Sequence, residues 1–163
     1  MLIRDIFLPE YKTELKNTRR MLDRVSLEKA DWKPHEKSMT LGELAKHVAE
    51  IPNWMTIILT TDDLDFKKWY SPITAETKEE LLKVFDENSA KALEELEKAT
   101  DEIFHGNWTM RFGDRIFFTR PRIGVVRNFA LNHLYHHRAQ LSVYLRLLEV
   151  PVPGMYGPTA DEA

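Results

Sequence analysis

The 163 residues are 43% hydrophobic and 30% charged with a formal net charge of −3, an ordinary soluble composition with enough chain to bury a core without staples. No cysteine is present, which excludes disulfides, thiolate metal sites, iron–sulfur clusters and cysteine nucleophiles. The acidic balance offers no basic stripe for nucleic acid, and no apolar run reaches the roughly 18 residues of a membrane span.

Met1-Leu2-Ile3-Arg4-Asp5 meets charge too early for a signal peptide, so a cytoplasmic location is expected, with neither nucleic acid nor membrane as partner. No repeat, low-complexity segment or linker interrupts the sequence, and residues 1–163 read as a single domain.

The first helix is expected from Leu8 or Pro9 to Arg24, with Pro9 in the first turn where its missing N–H is harmless. Tyr11, Leu15, Thr18, Leu22 and Val25 make its inward stripe. Ser26–Ser38 reads as a connection whose Trp32 plugs one end of the core. A second helix starts at the capping box Thr40-Leu41-Gly42-Glu43 and carries Leu44, Val48, Ile51, Met55 and Ile58 inward. Pro52 is expected to kink it or free a carbonyl.

Thr61–Ala75 reads as a solvated loop. A third helix follows a second capping box, Thr77-Lys78-Glu79-Glu80, and runs to about Thr100 with Phe85, Ser89, Ala92 and Leu96 inward. The period then changes: Ile103–Met110 and Arg115–Thr119 flank Phe112-Gly113-Asp114, the pattern of a small β-hairpin. A fourth long helix is expected from about Pro121 to Leu148, and the tail Tyr156–Glu162 as one last helical turn. The sum is an all-α four-helix bundle with a hairpin between the third and fourth helices.

Chemistry concentrates on the fourth helix. Its stripe Val126, Ala130, Leu141, Tyr144 and Leu148 passes through His133 and His137. Residues four apart on a helix are neighbours, roughly 6 Å between Cβ atoms, so the two rings can converge on one metal ion. Two stacked imidazoles in an apolar stripe each need a partner for their nitrogens. His47, on the Leu44–Ile51 edge of the second helix, is the natural third ligand. His35, His105 and His136 read as surface residues.

Three imidazoles without thiolate or carboxylate suit one divalent transition metal, Zn, Ni, Fe or Mn, and leave a position open for water or substrate. Glu50, Asn132 and Gln140 are the candidates to orient the rings from behind.

The run His133-x-x-x-His137-Arg138-x-Gln140 with Tyr144-Leu145-Arg146 and Tyr156-Gly157-Pro158 resembles the DinB-like (DinB/YfiT) family. So do Trp32-Lys33-Pro34-His35 and Leu41-Gly42-x-Leu44-Ala45-x-His47-Val48-Ala49-Glu50. The resemblance spans essentially the whole chain. It implies an up-down-down-up bundle, a metal held by His47, His133 and His137, and a homodimer.

Some relatives are thiol-dependent transferases or isomerases, so the resemblance also implies a metal-dependent S-transferase using a low-molecular-weight thiol such as bacillithiol, mycothiol or glutathione. Arg138, Arg127 or Tyr135 would then orient an anionic thiol carrier and its small-molecule partner. Metal-assisted hydrolysis with Glu50 as base ranks lower, since no His-Glu-x-x-His motif is present. The third alternative is a metal-stabilised, non-catalytic dimeric bundle.

Overall fold

The computed structural model of the chain describes residues 1–69 and 73–162. In these the protein is mostly helical, with one small three-stranded sheet. The expectation of a loop through Ser71-Pro72 lies outside the described residues.

Helix α1 spans Ile3–Leu22 and begins earlier than the proline suggests. The Asp5 carboxylate accepts the Leu2 N–H at 2.9 Å and Asp101 accepts that of Ile3 at 2.9 Å, so two otherwise orphaned donors are satisfied. Pro9 therefore lies inside the helix and forgoes one backbone bond. Phe7, Tyr11, Leu15 and Leu22 face the core.

Helix α2 (Leu41–Glu50) opens on the expected box: Thr40 Oγ1 accepts from Glu43 N at 3.2 Å and the Glu43 carboxylate accepts from Thr40 N at 2.8 Å. Pro52 ends it and starts α3 (Pro52–Thr60). The break leaves the Ala49 carbonyl to be satisfied by Asn88 Nδ2 at 3.2 Å.

The segment after α3 is more than a loop. Strand β1 (Asp63–Asp65) leads into a short helix α4 (Phe66–Trp69). Three long-range hydrogen bonds hold it there: Arg111 donates to Asp63 and to Asp65, and Asp65 Oδ1 accepts from Gly113 N at 2.8 Å. Helix α5 (Lys78–Lys98) is capped by Thr77, which accepts from Glu80 N at 3.2 Å. The Glu80 carboxylate takes the Glu76 N–H instead of returning to Thr77, so only half of the expected box forms.

Residues 103–105 are helical, not strand. Thr100 caps the short helix α6 (Asp101–His105), whose Phe104 is fully buried and stacks on Phe7 with ring centroids 5.7 Å apart. The hairpin proper is β2 (Asn107–Phe112) and β3 (Arg115–Pro121), antiparallel, with β1 parallel to β2 on the other side. Its two-residue turn has φ +57° at Gly113, a left-handed value at the first turn position that favours glycine.

The fourth long helix is three pieces in one rod: α7 (Arg122–Val125), a π-helical segment Val126–Asn132, and α8 (His133–Leu147). It ends with Glu149 at φ 58°. The tail is not a helix. It closes a single turn through Glu162 N to Thr159 O at 3.1 Å, because Asp161 is drawn off to Arg146 and to Val152 N.

Helix α5 packs against α1, α2 and α3, while α8 packs against α2 and α1. The core runs between them, with Tyr11, Phe85, Phe104 and Trp108 among its largest fully buried side chains. Trp32 meets Tyr144 edge to face at 5.5 Å, where it covers the core's end.

Candidate metal centre

Helices α2 and α8 meet at three histidines. His47 stands one turn before the end of α2, between the buried Leu44 and Ile51. His133 is the first residue of α8, directly after the π-helical segment, and His137 follows one turn later. Their rings form a closed triangle, with centroids 4.9 Å (47–133), 4.5 Å (47–137) and 4.7 Å (133–137) apart. One nitrogen from each lies within 4.8 Å of the others.

His47 Nε2 and His133 Nε2 are 3.0 Å apart. Two imidazoles bound at about 2.1 Å to one ion, with an angle between 90° and tetrahedral, place their nitrogens about 3.0–3.4 Å apart. The donor spacing therefore suits a shared cation.

An outer atom fixes the tautomer of His137. Gln140 Oε1, which can only accept, takes a hydrogen bond from His137 Nδ1 at 2.8 Å, leaving the Nε2 lone pair directed inward. Behind His47, the Glu50 carboxylate stands 4.0 Å from Nδ1, and burial raises its pKa. His133 Nδ1 is buried on the side of the Phe129 carbonyl, which it approaches without completing a hydrogen bond.

Electrostatics keep the cluster neutral. Burial, reinforced by the neighbouring His137, lowers the His47 pKa to about 4. Burial also lowers His133 to about 4, with His47 and His137 adding to it and the Phe129 carbonyl opposing. His137 is lowered by burial as well, against the Gln140 hydrogen bond that raises it. Three uncharged imidazoles with inward lone pairs are a ready ligand set for a soft or borderline divalent ion.

The sign of the pH dependence follows. Unfolded, these rings titrate near 6.5, whereas His47 and His133 titrate near 4 when folded. Between those values the unfolded chain binds more protons, so stability is full above about 6.5 and declines as pH falls towards 4. The difference in urea midpoint between wild type and His47→Gln, both metal-free, is expected to shift against wild type across that window. A difference that stays constant from pH 7 to 4 would contradict the assignment.

The remaining sequence candidates lie elsewhere. Asn132 Nδ2 donates to Asn128 Oδ1 at 3.4 Å on the exposed side and does not touch the ligand rings. Arg127, Tyr135 and Arg138 face α1 instead of the histidines. Arg127 pairs with Glu10 at 2.8 Å, and Tyr135 donates to the same carboxylate at 2.8 Å. Arg138 is 3% exposed and pairs with Glu14. Helical spacing explains the divergence: positions 135 and 138 lie well around the rod from 133 and 137. These three groups are committed to the α1 interface.

One feature of the site has no counterpart in the sequence reading. A cavity of about 340 Å³ shares the His133 ring as a wall and is otherwise mainly aromatic, with Trp54, Phe66 and Phe129 around it. The spacing Phe129–His133 was its only sequence signal.

The sequence profile of the DinB family matches residues 6–163. The chain is 26% identical over 161 residues to YrdA of Bacillus subtilis (strain 168), covering 97% of this chain and 90% of YrdA. Among solved structures, the DinB-like protein YjoA of Bacillus subtilis superimposes with a TM-score of 0.71 at 17% identity, over 95% of this chain and 96% of that one. A DinB-like protein from Bacillus cereus ATCC 10987 gives 0.70 at 24% identity, over 92% and 95%. At such identities the structures speak for the fold alone. The profile match along nearly the whole chain, together with the histidines its helices α2 and α8 bring together, makes this protein a member of the DinB family.

Proposed function

We propose that the protein is a divalent-metal-dependent thiol S-transferase, with His47, His133 and His137 holding the ion. The observation that carries this reading is the three-imidazole cluster, which has no fourth protein ligand among the described residues. Catalytic sites keep a position open, whereas structural sites are closed by four protein ligands. A bound Zn, Ni, Fe or Mn ion supplies Lewis-acid stabilisation of a thiolate at that position.

The chain's own residues do the rest. Burial keeps the three rings neutral at pH 7, and Gln140 fixes the His137 tautomer. Glu50 stands on the Nδ1 side of His47, away from the inward nitrogens, which disfavours it as the base of a hydrolase.

The same reading takes the four long helical segments as an up-down-down-up bundle and the protein as a cytoplasmic homodimer. Val143 and Leu147, one turn apart on α8 and each 56% exposed, offer an apolar strip for such a contact.

The test is a transferase assay with bacillithiol, mycothiol and glutathione against 1-chloro-2,4-dinitrobenzene. In that reaction a C–S bond forms as the C–Cl bond breaks, chloride leaves and the thiol proton passes to solvent. Turnover with at least one thiol, abolished by chelation and by His137→Ala, is expected. Metal-loaded protein that is inert with all three would overturn the reading in favour of a metal-stabilised, non-catalytic bundle.

A further inference from the structure

The cavity beside His133 has a chemistry of its own. Trp54 and Phe129 stack on one another at 26° with centroids 6.0 Å apart, Phe118 stacks on Phe129 at 5.3 Å, and Phe66 is 6.1 Å from Trp54. Met110 completes the apolar lining. The Trp54 ring also meets His133 edge to face at 6.0 Å, so one wall belongs to the metal centre and the rest to the aromatic groove.

The polar groups are few and placed at the exposed side. Asn128 and Asn132 share one amide–amide hydrogen bond, which leaves further donors and acceptors of both free. His136 is exposed beside them. Among the described residues, not one Asp, Glu, Lys or Arg lines the cavity.

The π-helical segment explains the arrangement. Its wider turn stacks residues four apart more nearly in line than an α-helix does, so Phe129 lies beneath His133 and Asn128 beneath Asn132. Single π turns recur at functional sites for this kind of re-aiming.

We infer that this cavity binds a neutral, flat aromatic group of one or two rings, held against Trp54 and Phe129 with its substituent directed along His133. Three observations point to that class. The half-exposed rings of Trp54, Phe66 and Phe129 present aromatic surface to a flat partner. The absence of charged lining would leave an ionic body desolvated without a partner. The volume of about 340 Å³ sits at the small end of ligand pockets, about 300–1,000 Å³. The role in catalysis, as the seat of the electrophile, rests on the transferase reading; the binding does not.

Isothermal calorimetry on the full chain, with and without one equivalent of Zn²⁺, tests it, using 2-naphthol and naphthalene-2-sulfonate. Saturable one-to-one binding of 2-naphthol is expected in both, with the sulfonate at least about tenfold weaker in the metal-free chain, where its charge finds no partner. Asn128→Trp, at an exposed position on the mouth, should fill the groove and weaken 2-naphthol at least about tenfold, the scale of one lost apolar anchor. Omitting Zn²⁺ should leave 2-naphthol binding nearly unchanged.

Binding that is non-saturable, or undiminished in Asn128→Trp, overturns the inference. So does binding that disappears without Zn²⁺, which would place the naphthol on the metal. Saturable pocket binding without any thiol transfer would instead remove the transferase reading and leave the cavity assignment standing.

Discussion

Replacing Arg138 with leucine is expected to destabilise the protein by about 3–5 kcal/mol, the usual result of leaving one member of a buried ion pair alone. The guanidinium is 3% exposed and its partner Glu14 is 5% exposed, with Nη2 and Oε2 2.5 Å apart. Arg138 also donates to the Glu14 carbonyl at 3.2 Å, to Thr18 Oγ1 at 3.1 Å and to the Tyr156 hydroxyl at 2.7 Å. Tyr156 in turn donates to Glu14 Oε2 at 2.9 Å. The network ties α1, α8 and the C-terminal tail together.

Removing the cation strands a carboxylate inside that network, where desolvation is severe. For a domain of this size the melting temperature should drop by roughly 2–4 °C per kcal/mol. The double variant Glu14→Met/Arg138→Leu should recover at least half of the loss, because an apolar pair of similar volume needs no desolvation of charge. Urea unfolding followed by circular dichroism decides it. A single-variant loss below about 1 kcal/mol would show that water reaches Glu14 and that the pair behaves as an exposed one.

The second large effect belongs to the metal centre. His133→Ala should weaken Zn²⁺ binding by at least about 100-fold, since losing even an outer-shell partner of a ligand lowers affinity 10–100-fold. Competition against a chromophoric chelator measures this directly. In the metal-free protein the same substitution removes the His47–His133 contact and the ring packed on Trp54, so the metal-dependent gain is read against each protein's own metal-free stability. Added metal raises wild-type stability by about 2.7 kcal/mol at 100 times the dissociation constant, and this gain should vanish in the variant. A variant that keeps both affinity and metal-dependent stabilisation would remove His133 from the ligand set.

Local sequence patterns carried much of this structure. Helical stripes, the Thr40–Glu43 box, the Pro52 break and the Gly113 turn are signals within a few residues, and each appears where its spacing places it. The histidine cluster was legible for the same reason, as a four-residue repeat on one stripe with a third imidazole on the apolar edge of another.

What stayed hidden depends on distant partners. Strand β1 exists because Arg111 and Gly113, some fifty residues on, engage Asp63 and Asp65. The early start of α1 depends on Asp101. Arg138 reads locally as a residue beside a ligand, and only Glu14, on another helix, shows that it is structural. The π-helical segment has no residue signature at all. Its Phe129–His133 row becomes meaningful only when Trp54 arrives from α3 to stack on Phe129 and meet His133 edge to face.

The central claim is that His47, His133 and His137 hold one divalent ion per chain. The most direct measurement is metal content by mass spectrometry, on protein purified without a histidine tag and then offered Zn²⁺, Ni²⁺, Fe²⁺ and Mn²⁺ in turn. The predicted result is close to one transition-metal ion per chain for at least one of these, lost in His133→Ala. Wild-type protein that remains metal-free with all four would contradict it.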